Sequence, residues 1–234
     1  MKKILYSLLL CLAVATFSSC DDKNSVDDSS ITYFVDLQLN GDAVLFWPKG
    51  TSYIEPGYSA VMQGKDVTSD VSVSGEVDVN TSGGYPLTYS AVNKEGYAKE
   101  SKRTVYVYDT TASSMESGIY SIDKNSYRIS SAGKTAYGSS YDIVIIQLEP
   151  GVFYVTDFLA GWYDQRAGYG INYAMNGTFR LNADNTIEPI SSSVPGWGDS
   201  MDGLANGKFD PATKSIYWEI SYAGSMTFYI TLTK

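Results

Sequence analysis

Apolar and polar residues alternate most regularly near the C-terminal end of the chain. Residues 215–222 read SIYWEISY and residues 226–232 read MTFYITL, with apolar residues at every second position. Successive side chains of a β-strand point to opposite faces, so this pattern predicts two strands that share one buried face. Ala223-Gly224 between them predicts the turn of a hairpin. Trp218 falls on the apolar face, and we expect it in the core.

Shorter alternating runs extend over residues 118–234 and predict seven or eight strands. No helical periodicity longer than two turns interrupts them, which favours an antiparallel meander without helical crossovers. Such a meander closes as a β-barrel or folds as a β-sandwich, and both alternatives are open. The opening segment GIYSI (118–122) resembles the start of lipocalin-like barrels only loosely. Asn176-Gly177 predicts a further turn.

Residues 31–109 alternate in the same way, with frequent turns. VDLQL at 35–39 precedes Asn40-Gly41, a pair that predicts a two-residue hairpin. Turn residues recur about every ten positions, as in a small β-sandwich. The small polar residues 110–117 then predict a linker. The chain is therefore predicted to be all-β, with domains at 31–109 and 118–234.

The N-terminal segment has the features of a secretory signal. Lys2 and Lys3 precede an apolar stretch, and small residues lead to Cys20. The stretch is shorter than the roughly 20 residues of a membrane-spanning helix. We predict a signal peptide at 1–19 and lipidation of Cys20, which would make the membrane a partner through a lipid anchor. An ordinary signal peptide with an incidental cysteine is the alternative.

The residues after Cys20 are polar and acidic. Residues 21–30 read DDKNSVDDSS, which offers too little apolar surface to order itself, so 20–30 is predicted to be a flexible tether. An acidic run at this position resembles the export signal of Bacteroidetes-type lipoproteins. That resemblance implies the outer membrane, with the protein facing the extracellular side. A solvated spacer without a targeting role is the other interpretation.

The cysteine and histidine content and the net charge exclude several kinds of catalytic site, metal site and partner. Cys11 and Cys20 are the only cysteines, and the chain has no histidine. Disulfides, thiol nucleophiles, Ser-His-Asp triads and the usual zinc centres are therefore excluded from the mature domains. Loss of Lys2 and Lys3 with the signal leaves 15 basic and 26 acidic residues, a net charge of −11. Nucleic acid is not expected as a partner, and neither is a cofactor.

Several motifs in the first domain are those of a known domain type. They are Glu55-Pro56-Gly57, Asp66-Val67-Thr68, Gly84-Tyr85 with Tyr89, and the strand from Arg103 to Asp109. This set resembles the bacterial Ig-like domains of surface proteins. Tyr58 departs from the pattern, which more often has a small residue there. The resemblance implies an Ig-like sandwich that acts as a spacer or presentation module, without a ligand site.

Three segments of the second domain carry a further resemblance. They read DFLAGWYDQRAGYG, GWGDSMDGLANGKFDPATKSIYW and TFYITL. Together they resemble the C-terminal domain of surface lipoproteins that gut Bacteroidetes encode beside polysaccharide-uptake systems. The resemblance implies surface exposure and glycan handling, with oligo- or polysaccharides and other uptake-system proteins as partners. It supplies no binding residues.

The aromatic segment 157–173 is the first candidate ligand-binding site. Tyrosine and tryptophan rings stack on the apolar faces of sugars, and neighbouring polar side chains can bind their hydroxyls. Trp162 follows a glycine in a predicted loop, so we expect it to be the most exposed ring, whereas Phe158 is expected to point inward. The same rings could instead close one end of the domain. The candidates in this segment are Asp157, Trp162, Tyr163 and Tyr169.

The segment PGWGDS (195–200) is the second candidate, with Trp197 between two glycines and Asp199 beside it. If both loops lie at the same end of the domain, Trp162, Tyr163 and Trp197 would form one aromatic platform. Trp47, in the first domain, is expected to pack.

Carboxylates are the candidates for catalysis, because a glycosidase needs only two of them, about 5–10 Å apart. Asp157 and Asp199 are the one pair that we nominate. Most other carboxylates lie in turn sequences, where aspartate binds its own backbone. We therefore expect no catalytic residues and no metal site, although acidic loops leave calcium open. The leading hypothesis is a non-catalytic glycan-binding accessory protein. A structural or protein-interaction module and a glycoside hydrolase are the alternatives.

Overall fold

The computed structural model describes residues 31–234, and the predicted signal peptide, Cys20 and tether lie outside this range. The chain is all-β, as predicted, with an Ig-like N-terminal domain and a curled antiparallel C-terminal domain. Within residues 31–234, no helix is long and apolar enough to cross a membrane. The strands of the first domain are β1 (Asp36–Leu39), β2 (Val44–Pro48), β3 (Tyr58–Met62), β4 (Lys65–Asp66), β5 (Ser72–Ser74), β6 (Gly83–Val92) and β7 (Ala98–Tyr108).

The first domain is a sandwich of two small sheets. One sheet has the order β1-β3-β4 and the other the order β2-β7-β6-β5, with β2 parallel to β7. Their inner faces bury a shared apolar core around Tyr89, Val105 and Val107. The hairpin predicted at Asn40-Gly41 is wrong, because β1 and β2 lie in different sheets. The pair instead carries the chain from one sheet to the other, and the Asn40 N–H donates to the Gly57 carbonyl at 3.0 Å.

A partly buried ion pair joins two of the motifs that marked the first domain. The Arg103 guanidinium is fully buried and pairs with the Glu55 carboxylate, which also accepts the Gly57 N–H at 3.0 Å. The Arg103 Nε–H donates to the Asp42 carbonyl at 3.1 Å. A buried arginine needs such partners, because a buried charge left unpaired is costly. These motif residues therefore have a structural role.

The second domain contains ten strands, more than the seven or eight predicted. They are β8 (Gly118–Ile122), β9 (Tyr127–Ser130), β10 (Gly133–Ala136), β11 (Asp142–Glu149), β12 (Val152–Val155), β13 (Asn176–Leu181), β14 (Ile187–Ser193), β15 (Gly203–Asp210), β16 (Ser215–Tyr222) and β17 (Met226–Thr233).

These strands form a single antiparallel sheet that curls on itself. Its order is β10-β9-β17-β8-β11-β12-β13-β14, and β16 and β15 continue from β17 on the other side. The two ends approach each other where Thr186 bridges to Lys208 and the Phe209 N–H donates to the Asn185 carbonyl at 2.9 Å. One curled sheet, rather than two facing sheets, corresponds to the barrel-like alternative.

The C-terminal hairpin follows its sequence pattern closely. β16 and β17 pair in continuous register from Ser215 with Thr233 to Tyr222 with Met226. Trp218 is fully buried as predicted, and its indole N–H donates to the Phe158 carbonyl at 3.1 Å. The turn predicted at Asn176-Gly177 is wrong, because both residues lie within β13. A Cβ at Gly177 would lie 2.1 Å from the Ser191 carbonyl oxygen, so the glycine permits close strand approach.

The two domains meet at the segment that follows β7. The Asp109 N–H donates to the Gln147 carbonyl of β11 at 2.8 Å, and the Gln147 side-chain amide donates to the Thr111 carbonyl at 2.9 Å. Met115 is buried in the core of the second domain. The junction thus lies at the Gln147 end of β11.

Candidate functional site

One buried carboxylate organises the long loop between β12 and β13. Asp157 is 2% exposed and accepts backbone N–H groups from Leu159, Gly161 and Met175 at 2.7 to 2.9 Å. Burial raises the pKa of this carboxyl group to about 6, against the opposing effect of the three N–H donors. Its hydrogen bonds fix both ends of the loop on the sheet.

The expectation that Trp162 is the most exposed ring is wrong, because its indole is only 3% exposed. Gly161 adopts a left-handed conformation at φ +82° and starts a π-helical turn, Trp162–Arg166, which directs the indole inward. The ring packs against Tyr137 and Phe228, with centroids at 4.7 and 5.5 Å. Phe158 is fully buried, as predicted.

Two guanidinium groups lie against the Trp162 indole. The Arg166 and Arg128 guanidinium carbons are 4.3 and 4.7 Å from its ring centroid, within cation–π range. Arg166 also donates from Nε to the Tyr137 carbonyl at 3.1 Å. The Trp162 side chain therefore has a structural role, because it anchors its loop to the core of the domain.

The exposed rings of the two candidate loops form one group. We call Tyr163, Tyr169, Tyr173 and Trp197 the aromatic cluster. Tyr169 is 56% and Trp197 43% exposed, whereas Tyr163 and Tyr173 are half-buried. The Trp197 ring lies 4.7 Å from Tyr163 and 4.9 Å from Tyr173, centroid to centroid. The structure thus brings Tyr163, Tyr169 and Trp197 together and places Trp162 below them.

An open cleft of about 310 Å³ lies between Tyr169, Tyr173 and Trp197. The planes of these rings are steeply inclined: Tyr169 is at 89° to Trp197 and at 72° to Tyr173. The rings therefore form the walls of a notch rather than a flat surface.

Backbone contacts hold the second loop against the first. The Gly196 N–H donates to the Asn172 carbonyl at 2.6 Å. A Cβ at Gly196 would lie 2.7 Å from the Tyr173 ring and 2.9 Å from that carbonyl, so only glycine allows this approach. Val194 and Asp199 close the loop, with the Val194 N–H donating to the Asp199 carbonyl at 2.8 Å.

The nominated carboxylates have different environments. Asp199 is exposed, and both of its oxygens lie 2.9 Å from the Tyr222 hydroxyl, which donates to the carboxylate. Burial and this carboxylate raise the pKa of the Tyr222 hydroxyl well above its usual value. Asp164, beside Tyr163, is half-buried, and burial raises its pKa. Among residues 31–234, no group of three or more acidic side chains is placed to hold a metal ion.

Sequence reasoning missed Tyr222 and Arg128 as neighbours of the site. Tyr222 ends the alternating face of β16, which correctly indicated burial but not that its hydroxyl reaches Asp199. Arg128 lies on β9, far from the loop in sequence, and no local signal places it near Trp162.

Comparison with known proteins gives the family. A family model for a C-terminal domain matches residues 109–234, and the model of the bacterial surface protein Ig-like domain matches residues 37–107. The crystal structure of the lipoprotein BT2262 from Bacteroides thetaiotaomicron is 52% identical, with a TM-score of 0.81 over 86% of this chain and 100% of that chain. The search of curated proteins gives no significant match.

A second solved structure, of CBM51-2 in complex with GlcNAc and INT domains from Clostridium perfringens ZmpB, is 17% identical with a TM-score of 0.27. It covers 53% of this chain and 31% of that chain, and this likeness is too low to support an argument. The first match and the two family models agree with each other. The chain belongs to the same family as the Bacteroides lipoprotein BT2262 and is a homologue of that lipoprotein, with a domain of the bacterial surface protein Ig-like type followed by the family's C-terminal domain.

Proposed function

We propose that this protein is a non-catalytic glycan-binding accessory protein of a polysaccharide-uptake system, anchored to the outer membrane and facing the extracellular side. The observation that carries the proposal is the cleft between Tyr169, Tyr173 and Trp197. Large aromatic side chains are normally buried, because removing their apolar surface from water is favourable. Rings that stay exposed around a concave surface are therefore typical of ligand-binding sites.

The chemistry of the cleft suits a neutral sugar. Tyrosine and tryptophan faces offer apolar contact to sugar C–H groups, while the exposed Asn172 and Asp199 side chains can bind hydroxyls. The net charge of −11 after signal removal disfavours strongly anionic ligands. A neutral polar ligand with apolar faces therefore fits best.

The shape of the cleft favours a small portion of a glycan. Its volume of about 310 Å³ is near the lower end of the roughly 300–1,000 Å³ of small-molecule sites. A flat row of coplanar rings would follow several sugars of a chain, whereas inclined rings enclose one ring from its sides. We infer that the site takes a single sugar or the end of a chain.

The cluster rests on a rigid base, which reduces the entropy cost of binding. Tyr163 stacks on Tyr169 at 6.2 Å and contacts the buried Phe228 at the same separation. The Tyr169 N–H donates to the Tyr163 carbonyl at 3.0 Å. These contacts support a preformed site.

The environment of Asp157 supports a role without catalysis. Its carboxylate is buried and fully engaged by backbone N–H groups of its own loop. Asp199 is exposed but bound to the Tyr222 hydroxyl. A glycosidase requires both carboxylates to face the scissile bond, and Asp157 does not face solvent.

A protein-interaction or structural module is the second candidate. The rings of the cluster contact each other, with Trp197 touching Tyr163 and Tyr173, so they also shield one another from water. A partner protein could cover the same exposed apolar surface.

A glycan array on the mature chain tests the proposal, followed by calorimetry with the best ligand. Tyr169→Ala is expected to weaken binding about tenfold, because one stacked ring contributes on the order of 1–2 kcal/mol. Tyr97→Ala is the matched control, since Tyr97 is also 56% exposed but lies in the other domain. The proposal would be contradicted if no glycan bound, or if Tyr169→Ala and Tyr97→Ala bound the glycan with equal affinity.

A further inference from the structure

Large apolar side chains are also exposed at one end of the Ig-like domain. We call Ile31, Tyr33, Phe34, Val92 and Tyr97 the apolar pole. Phe34 is 63% and Tyr97 56% exposed, and their ring centroids lie 5.7 Å apart. Isolated exposed apolar residues are common, but a contiguous group of this kind usually marks an interaction surface.

The pole is a fixed surface. Asn93 is buried at the tip of the β6–β7 hairpin, and its side-chain amide donates to the Tyr33 carbonyl at 2.9 Å. Its Oδ1 accepts the Tyr97 N–H at 2.8 Å. The segment 31–34 is thereby held against the hairpin tip, and the rings of both stay on the same side.

The chain enters the described structure at this pole. Residues 21–30 separate Cys20 from Ile31, and a chain of that length reaches about 40 Å when fully extended. A lipid on Cys20 would therefore keep the pole within about 40 Å of the bilayer.

The second domain lies at the opposite end. β7 begins beside the pole at Ala98 and ends at Tyr108, and its 11 residues span roughly 36 Å. In the second domain, the linker contacts Gln147, whereas Gln165 of the aromatic loop donates to the Asp142 carbonyl at the other end of β11. The aromatic loop therefore lies at the end of β11 opposite the junction.

The charges at the pole permit contact with a membrane. The hairpin tip carries Lys94 and Lys99 against Glu95 and Glu100, so its charges cancel although the chain as a whole is acidic. Tyrosine and phenylalanine are favoured at the membrane–water interface, where the apolar ring is buried and a hydroxyl stays hydrated.

We propose that the apolar pole inserts into the lipid surface that holds the Cys20 anchor. The pole and the acyl chains are then two attachments to one bilayer, and they orient the Ig-like domain as a spacer that presents the aromatic cluster outward.

Site-specific labelling tests this directly. Cys20 is the only cysteine after the signal peptide, so an introduced cysteine can be labelled alone on the lipidated protein. An environment-sensitive fluorophore is placed at Lys94→Cys, at the pole, or at Ala167→Cys, in the aromatic loop. On phosphatidylcholine vesicles with brominated acyl chains, we expect a blue shift and quenching at position 94 and neither at position 167.

Paired variants identify the contact. Phe34→Ser should abolish the change at position 94, whereas Ile171→Ser should not, since Ile171 is 67% exposed but belongs to the other domain. An aqueous, unquenched label at 94 would overturn the proposal. A blue shift of the label at 94 in the absence of vesicles would show that the tether covers the pole. A blue shift that grows with protein density on the vesicles, without quenching by the brominated chains, would show that a second copy of the protein covers it. Either outcome would also overturn it.

Discussion

Trp162 and Trp197 follow glycines in two loops of the same domain, yet one is buried and the other is exposed. Trp162 lies among Tyr137, Phe228 and two arginines. Trp197 rests on tyrosines of the neighbouring loop and borders the cleft. The local sequence is similar, so the difference comes from what each loop meets in three dimensions.

The two glycines also act differently. Gly161 supplies a left-handed backbone conformation that turns the following indole into the core. Gly196 supplies space, because a side chain there would collide with the Tyr173 ring. A glycine before an aromatic residue therefore indicates an unusual backbone requirement without indicating the direction of the ring.

The largest expected difference between the two tryptophans is in stability. Trp162→Ala removes a fully packed indole and should lower the free energy of unfolding by about 3–5 kcal/mol. Trp197→Ala removes a half-exposed ring and should cost roughly 1 kcal/mol. Urea unfolding followed by circular dichroism measures both. Equal losses would contradict the different roles assigned to the two rings.

The loop that buries Trp162 should also respond to pH through Asp157. Its pKa is about 6 in the folded protein, above the usual value near 3.9, so the folded state binds the proton more tightly. This contribution to stability is fully present below pH ~4 and is lost as pH rises through ~6.

Asp157→Asn removes the titration. The free energy of unfolding of the wild type relative to this variant should fall by roughly 1 kcal/mol between pH 5 and pH 7. Denaturant titrations at both pH values measure the difference. A difference that stays constant would show that Asp157 is not perturbed by burial.

The loop that carries Trp197 should respond to steric change at Gly196. Gly196→Ala should separate the two loops and weaken glycan binding several-fold, about 1 kcal/mol, with little loss of overall stability. Gly203→Ala is the control, because Gly203 has no positive φ and its added Cβ would meet nothing within 4 Å. Calorimetry on both variants makes the comparison, and equal affinities would show that loop contact does not shape the site.

The smallest expected effect concerns glycan length. A notch that holds one ring should bind a monosaccharide and longer oligosaccharides of the same series with affinities within about twofold of each other. Calorimetry across such a series measures this. A tenfold gain on lengthening would leave glycan binding intact but would show that the site follows an extended chain.

Regular alternation made the strands predictable. β16 and β17 alternate over their full length, and the burial of Trp218 followed from this pattern alone. Two Asn-Gly pairs were misleading, because Asn40-Gly41 connects different sheets and Gly177 permits close strand approach. An Asn-Gly pair indicates that the backbone needs an unusual conformation or extra space. A hairpin turn is only one of several structures that meet this requirement.

The candidate site was predictable only in part. Residue types in two loops made Tyr163, Tyr169 and Trp197 candidates, but the platform predicted from them wrongly included Trp162. The meeting of the two loops depends on the Gly196–Asn172 backbone contact. The burial of Trp162 depends on Tyr137, Phe228 and Arg128, which come from distant strands and turns. Such long-range partners leave no mark in the local sequence.

The comparison is tested most directly by calorimetric titration of one array-positive glycan into the wild type, Trp197→Ala and Trp162→Phe. Trp162→Phe keeps an aromatic ring in the core and should remain folded. We expect at least about tenfold weaker binding for Trp197→Ala and near-wild-type affinity for folded Trp162→Phe. Unchanged affinity of Trp197→Ala, or a larger loss for Trp162→Phe, would contradict it.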